Sequence, residues 1–132
     1  MQRGQAAGLD AVALTDAASD AELDANREEV DGVQRRNQIR RSLLEVIGQQ
    51  DTAAAASGLD LSFGTPRRAR EEASRDAERA LSVDRDTTAF NRSRLLQRAD
   101  NLRSRARMTR RGAALANAAE GVGAVASILR RG

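Results

Sequence analysis

Protein catalysis draws on a nucleophile beside a base, on paired carboxylates in a pocket, or on a metal. The neighbouring carboxylates in this chain are Glu28/Glu29 and Glu71/Glu72. Both pairs sit among other charges in helical sequence, which is the setting of a solvated helix face. No histidine is present to activate a serine. With no cysteine either, disulfides, thiol chemistry and the usual zinc or iron ligand sets are excluded. Gly121 and Gly123 lack the preceding strand that a phosphate-binding glycine fingerprint needs. The residues therefore predict a protein that is not an enzyme and carries no metal or cofactor.

Arginine is the remaining chemistry. All 22 basic residues are arginine, a usage that fits either multi-donor contacts to carboxylate and phosphate or the codon bias of a GC-rich genome. Arg92, Arg94, Arg98, Arg103, Arg105, Arg107, Arg110 and Arg111 cover several faces of one helix. They read either as partners for an acidic first helix or as contacts to DNA phosphates without sequence preference. Arg103, Arg105, Arg107, Arg110, Arg111, Arg130 and Arg131 are the candidate contacts to DNA or anionic lipid. Residues 1–32 hold eight acids against two arginines, a net of −6, while residues 87–132 hold ten arginines against Asp100 and Glu120, a net of +8. The overall charge of +3 hides this polarity. With Phe63 and Phe90 the only aromatics, stacking on single-stranded bases is not expected.

The elements that must carry these groups are helices. Alanine and arginine are strong helix formers, Pro66 is the single proline, and no segment alternates with period two. Residues 1–8 read as a flexible start without the basic-then-apolar pattern of a secretory signal. A first helical arm over 9–56 has apolar anchors at Leu9, Val12, Leu23, Val30, Val33, Leu43, Leu44, Val46 and Ile47, and weak points at Gly32 and Gly48. The segment 57–65 is a turn. There Gly58 supplies a left-handed helix end, Leu59, Leu61 and Phe63 alternate toward the helix ends, and Asp60 and Gly64 lead to Thr65 as N-cap and Pro66 as first helical residue. Glu71, Glu72 and Asp76 lie early in the arm that follows, where negative charge is modestly favoured.

That second arm, 66–111, carries a stripe at spacings of four, four and three: Ala69, Ala73, Ala77, Ala80, Asp84, Thr88, Asn91, Leu95, Ala99, Leu102 and Ala106. Its apolar members, Ala69, Ala73, Ala77, Ala80, Leu95, Ala99, Leu102 and Ala106, are read as a contact between copies of the chain. The polar centre at Asp84, Thr88 and Asn91 reads either as a solvated kink or as a register-setting layer at a subunit contact. Residues 112–132 form a Gly/Ala-rich C-terminal helix. Its length approaches that of a membrane span. Ala119, Gly123 and Ser127 have the spacing that lets helices pack closely, whereas Asn117 and Glu120 oppose a lipid-facing span. Much of the 40% hydrophobic content is alanine, which removes little apolar surface from water. A chain of this kind completes its core against neighbours. The expected fold is all-α, a long helical hairpin with a small-residue C-terminal helix, assembling as a helical bundle or ring.

Ile47-Gly48-Gln49-Gln50, Ala53–Ala56 and Ser57-Gly58-Leu59-Asp60-Leu61-Ser62-Phe63-Gly64-Thr65-Pro66, followed by Asp84, Asn91, Ala99, Asn101, Leu102, Arg103 and Ala106, carry a further signal. From Gln34 to Gly112 the chain resembles the internal virion proteins, also called core or ejection proteins, of short-tailed bacteriophages. In that family an alanine-rich helix end leads through such a turn into a second arginine-bearing helix. Ser62-Phe63-Gly64 departs from the family's commoner Ser-(Ser/Thr)-Gly. The resemblance implies a structural protein of the virion interior, oligomeric near the portal beside other internal proteins, touching packaged DNA. It also implies ejection to help genome delivery, with host-membrane contact afterwards. A head–tail connector or scaffold-like assembly adaptor, and a non-specific DNA-binding helical protein, are the alternative readings.

Overall fold

The computed structural model describes residues 2–60 and 64–131, with side chains from Gly4 to Arg130 outside the 61–63 gap. They form two helices, α1 (Gln2–Ala56) and α2 (Thr65–Arg131), an all-α helical hairpin with no strand among the described residues. Both helices are longer and less interrupted than their sequences predict. α1 begins at Gln2, not Leu9, and passes through Gly32 and Gly48 without a break. α2 continues through Gly112 into the Gly/Ala-rich segment as one helix. A glycine costs a helix interior about 1 kcal/mol relative to alanine, a cost that good formers on both sides can offset. The first turns also have something to pack on: a Cβ on Gly4 would stand 3.4 Å from Asn117 Oδ1.

The end of α1 follows from Gly58. Its φ of 72° is left-handed, and only glycine adopts that region without a steric penalty. Gly58 N–H donates to the Ala55 carbonyl at 3.1 Å and Leu59 N–H to that of Ala54 at 3.0 Å. These are the two bonds of a Schellman closure, with Gly58 at C′. α2 starts one residue earlier than expected. Arg68 N–H donates to the Gly64 carbonyl at 3.1 Å, so Gly64, with φ of 76°, occupies the N-cap. Thr65 and Pro66 then fill the first two helical positions, where a missing N–H costs nothing. Leu59 is 54% exposed and does not tuck against a helix end. Leu61 and Phe63 lie outside the described residues.

The chain divides into two units, residues 1–25 with 93–132, and residues 26–92. In the first unit the core is Ala18, Ala21 and Ala99, with Leu102 packed against it. Ala11, Ala25 and Ala106 are buried as well. In the second unit Gly32, Ala54, Ala77 and Thr88 are buried, and Ile39, Leu43 and Ile47 are partly buried. Ala11, Ala18, Ala25 and Gly32 recur every seven residues along α1, the period of a coiled-coil seam. Small residues let two backbones approach closely, and they fill this seam. Among the described residues no large side chain is fully buried.

Large apolar side chains lie outside instead. Leu9, Val12, Leu23, Val30, Val33 and Leu44 are between 46% and 71% exposed. Of the expected anchors of α1, only Leu43 and Ile47 turn partly inward. The reason is steric: where alanine and glycine bring the helices close, larger aliphatics fit only partly buried at the edge of the seam, as Leu43 and Leu102 do.

Candidate functional site

Within unit 26–92 the polar centre of α2 meets three charged residues of α1. Arg35 Nε donates to Asp84 Oδ1 at 2.8 Å. Its Nη2 donates to Glu28 Oε1 at 3.1 Å and to Thr88 Oγ1 at 3.2 Å. Arg36 Nη1 reaches Asp84 Oδ2 at 3.2 Å, and Asn91 Nδ2 donates to Glu28 Oε1 at 3.2 Å. An outer pair, Arg92 with Glu29 at 3.3 Å, flanks the layer. The hydrogen bond from Arg35 is the main cause that holds the Asp84 carboxyl below the ordinary carboxylate range, with Arg36 adding to it against desolvation. The same bond raises the Arg35 guanidinium. The centre is thus no solvated kink. It is a paired layer between the two arms, and α2 is unbroken through it.

In unit 1–25/93–132 Arg103 donates to Glu22. That bond is the main cause lowering the Glu22 carboxyl and raising Arg103. Arg103, expected to face phosphate, is spent on the acidic first helix. The other candidate arginines of the described set, Arg105, Arg107, Arg110, Arg111 and Arg130, are exposed. Arg107 donates to Ser104 Oγ at 3.1 Å. Arg94, Arg98 and Arg105 flank a surface depression with Gln97, Asn101 and Leu102. The Arg131 side chain lies outside the described residues.

The alanine stripe of α2 is largely occupied by α1 of the same chain. Ala77, Ala99 and Ala106 are buried, and Ala69, Ala73, Leu95 and Leu102 are partly buried. Within this chain, then, Ala77, Ala99 and Ala106 pack arm on arm, while the partly buried members keep an open side. Ala80 is the exception. It is exposed and lines an apolar groove of about 720 Å³ in unit 26–92, with Ile39, Leu43 and Val46 of α1 opposite Ala69, Ala73 and Ala77 of α2. Glu72 and Asp76 border the groove. It exists because alanines on one wall face larger aliphatics on the other.

Glu71 and Glu72 stand beyond the first turn of α2, and the first turn holds no acid. Glu71 accepts from Arg67 at 3.1 Å within the helix. Gly58, Asp60, Gly64, Thr65 and Pro66 build the turn and bring no chemistry together.

Two outward apolar surfaces are what a sequence reading of the stripe missed. On α1, Leu9, Val12 and Leu23 in the first unit recur 21 residues later as Val30, Val33 and Leu44 in the second. Twenty-one residues are three heptads, so each set repeats the same side of the helix. Eleven-residue spacings (Val12/Leu23, Val33/Leu44) were the visible signal. On α2, Leu115, Val122, Val125, Ile128 and Leu129 are 57–77% exposed. The C-terminal segment of α2 is long and apolar enough to cross a membrane by composition, and no part of it is buried. Ala119, Gly123 and Ser127 are exposed on it. No protein-family model matches the chain, and no curated protein or solved structure shows significant similarity to it.

Proposed function

We propose that this chain is a structural protein that works by assembling with copies of itself, and that its place is the interior of a short-tailed phage virion near the portal. It acts there without an active site or cofactor, leaves ahead of the genome, and helps delivery through the host envelope. One observation supports the assembly: large apolar side chains cover the outside while alanine fills the core. Exposed apolar surface of this extent marks an interaction face, and a heterologous contact repeated between copies closes into a ring or runs on as a filament. The phage setting is supported by the resemblance of residues 34–112. Quantitative proteomics of purified particles tests it. Presence of the chain in mature virions and its loss from emptied ones is the expected result. Presence in precursor particles alone would instead make it a scaffold-like adaptor.

A second reading has its own observation. The arginine-flanked depression at Arg94, Arg98 and Arg105, within residues 87–132 with their net charge of +8, suits the backbone of double-stranded DNA. Binding that falls steeply with added salt and ignores sequence is its signature. Absence of binding at low salt would remove DNA from the list of partners.

A further inference from the structure

Two unpartnered features match each other. The tail of α2 carries Leu115, Ala118, Val122, Val125 and Leu129 at spacings of three, four, three and four, a heptad stripe that wants a groove. Glu120 falls on the opposite side of the helix. From Leu115 to Leu129 the stripe spans fourteen residue steps, about 21 Å at about 1.5 Å per residue. The groove in unit 26–92 is lined from Arg35 to Gln50 on α1 and from Ala69 to Asp84 on α2, fifteen steps on each wall, or about 22 Å.

Charge agrees with length. Arg110 and Arg111 precede the stripe and Arg130 follows it, all exposed. The groove is lined by Glu72 and Asp76, both exposed acids, Asp76 lying 3.9 Å from Arg79, while its one lining arginine, Arg35, is paired with Asp84 at 2.8 Å. An arginine end of the tail laid over that border brings opposite signs together, which favours this pairing over the tail meeting another equally basic tail.

We propose that this groove receives the C-terminal tail, Leu115–Leu129, of a second copy of the chain. The occupant is assigned to another copy on the match of length and charge between stripe and groove, and an 80/125 disulfide that forms between chains and not within a doubly substituted one distinguishes the two sources. The inference rests on the self-assembly reading and deepens it, since tail-into-groove is a head-to-tail contact between unlike surfaces, the kind that builds rings or filaments. Val122, Val125 and Leu129 fill the trough that the alanines leave, against Ile39, Leu43 and Val46.

The chain has no cysteine, so introduced sulfurs report unambiguously. Full-length Ala80→Cys and Val125→Cys chains, mixed and mildly oxidised, are expected to give the mixed disulfide. The mixed product is expected to disappear when the tail also carries Val122→Glu and Leu129→Glu, and to be absent when Ala89→Cys replaces Ala80→Cys. A wild-type chain that is multi-copy by mass photometry while the 80/125 product fails to form would overturn the groove and leave assembly standing. So would Val125→Cys chains linking to one another in preference, which would mean that tails pair with tails. A wild-type chain that is single at every concentration would overturn both.

Discussion

Gly32 of α1 lies directly against Thr88 of α2: a Cβ on Gly32 would stand 2.7 Å from Thr88 Oγ1 and 2.9 Å from its Cγ2. Thr88 is buried, at 6% exposure, and β-branched at χ1, so it cannot swing aside without moving the Arg35 bond. Gly32→Ala should therefore forfeit its helix-propensity gain of about 1 kcal/mol and lower stability by about 1–3 kcal/mol. Thr88→Ala in the same chain should restore much of the loss by turning the contact into alanine on alanine. Thermal unfolding of the two single variants and the double one measures this coupling. Additive effects would mean that the two residues do not touch.

Asp84 accepts from both Arg35 and Arg36, and its depressed pKa ties the layer to pH. A group ionised more readily in the folded than in the unfolded chain adds stability above its unfolded value, and the contribution fades as pH falls through the folded value. Glu22, lowered by Arg103, follows the same sign. The melting-temperature gap between wild type and Asp84→Asn should be widest at neutral pH and close on acidification below the ordinary carboxylate range. A gap that is constant across pH would contradict the pairing.

Two glycines make opposite predictions. Gly58→Ala places a side chain at φ of 72° and should cost about 1–2 kcal/mol. Gly48→Ala sits in the helix with nothing within 4 Å of the new methyl and should gain about 0.5–1 kcal/mol. Denaturant melts of both variants check the pair together.

Ala99 is 1% exposed and clusters with Ala18 and Ala21. Ala99→Leu should force the arms apart and destabilise by about 1–3 kcal/mol. Leu23→Gln, on the exposed face of the same helix pair, should leave the melt within about 0.5 kcal/mol of wild type. Circular dichroism melts at low protein concentration separate the two effects.

The helices and the turn between them were readable because their signals are local: Gly58 can only end a helix cheaply in one way, and Thr65-Pro66 can only begin one. The alanine stripe was readable by spacing, but not what covers it. Weighing residues by apolar area put Leu9, Val12 and Leu23 at the core. The structure puts Ala11, Ala18 and Ala21 there, because close backbone approach selects size before hydrophobicity. The layer joins Arg35 and Arg36 to Asp84, Arg35 to Thr88 and Asn91 to Glu28, residues 48 to 63 positions apart, and no local pattern announces such pairs. The continuous helix at residues 2–8 was missed for a similar reason, since Gly4 finds its neighbour at Asn117.

The central claim is that outward leucines and valines exist to be covered by other copies. Sedimentation velocity on the full chain and on a Leu23→Gln/Val33→Gln/Leu44→Gln variant, over a wide concentration range, tests it most directly. The expected result is a multi-copy wild type and a variant that dissociates to smaller species at higher concentrations than wild type, with its helix content retained. A wild type that sediments as one stably folded chain at every concentration would contradict it.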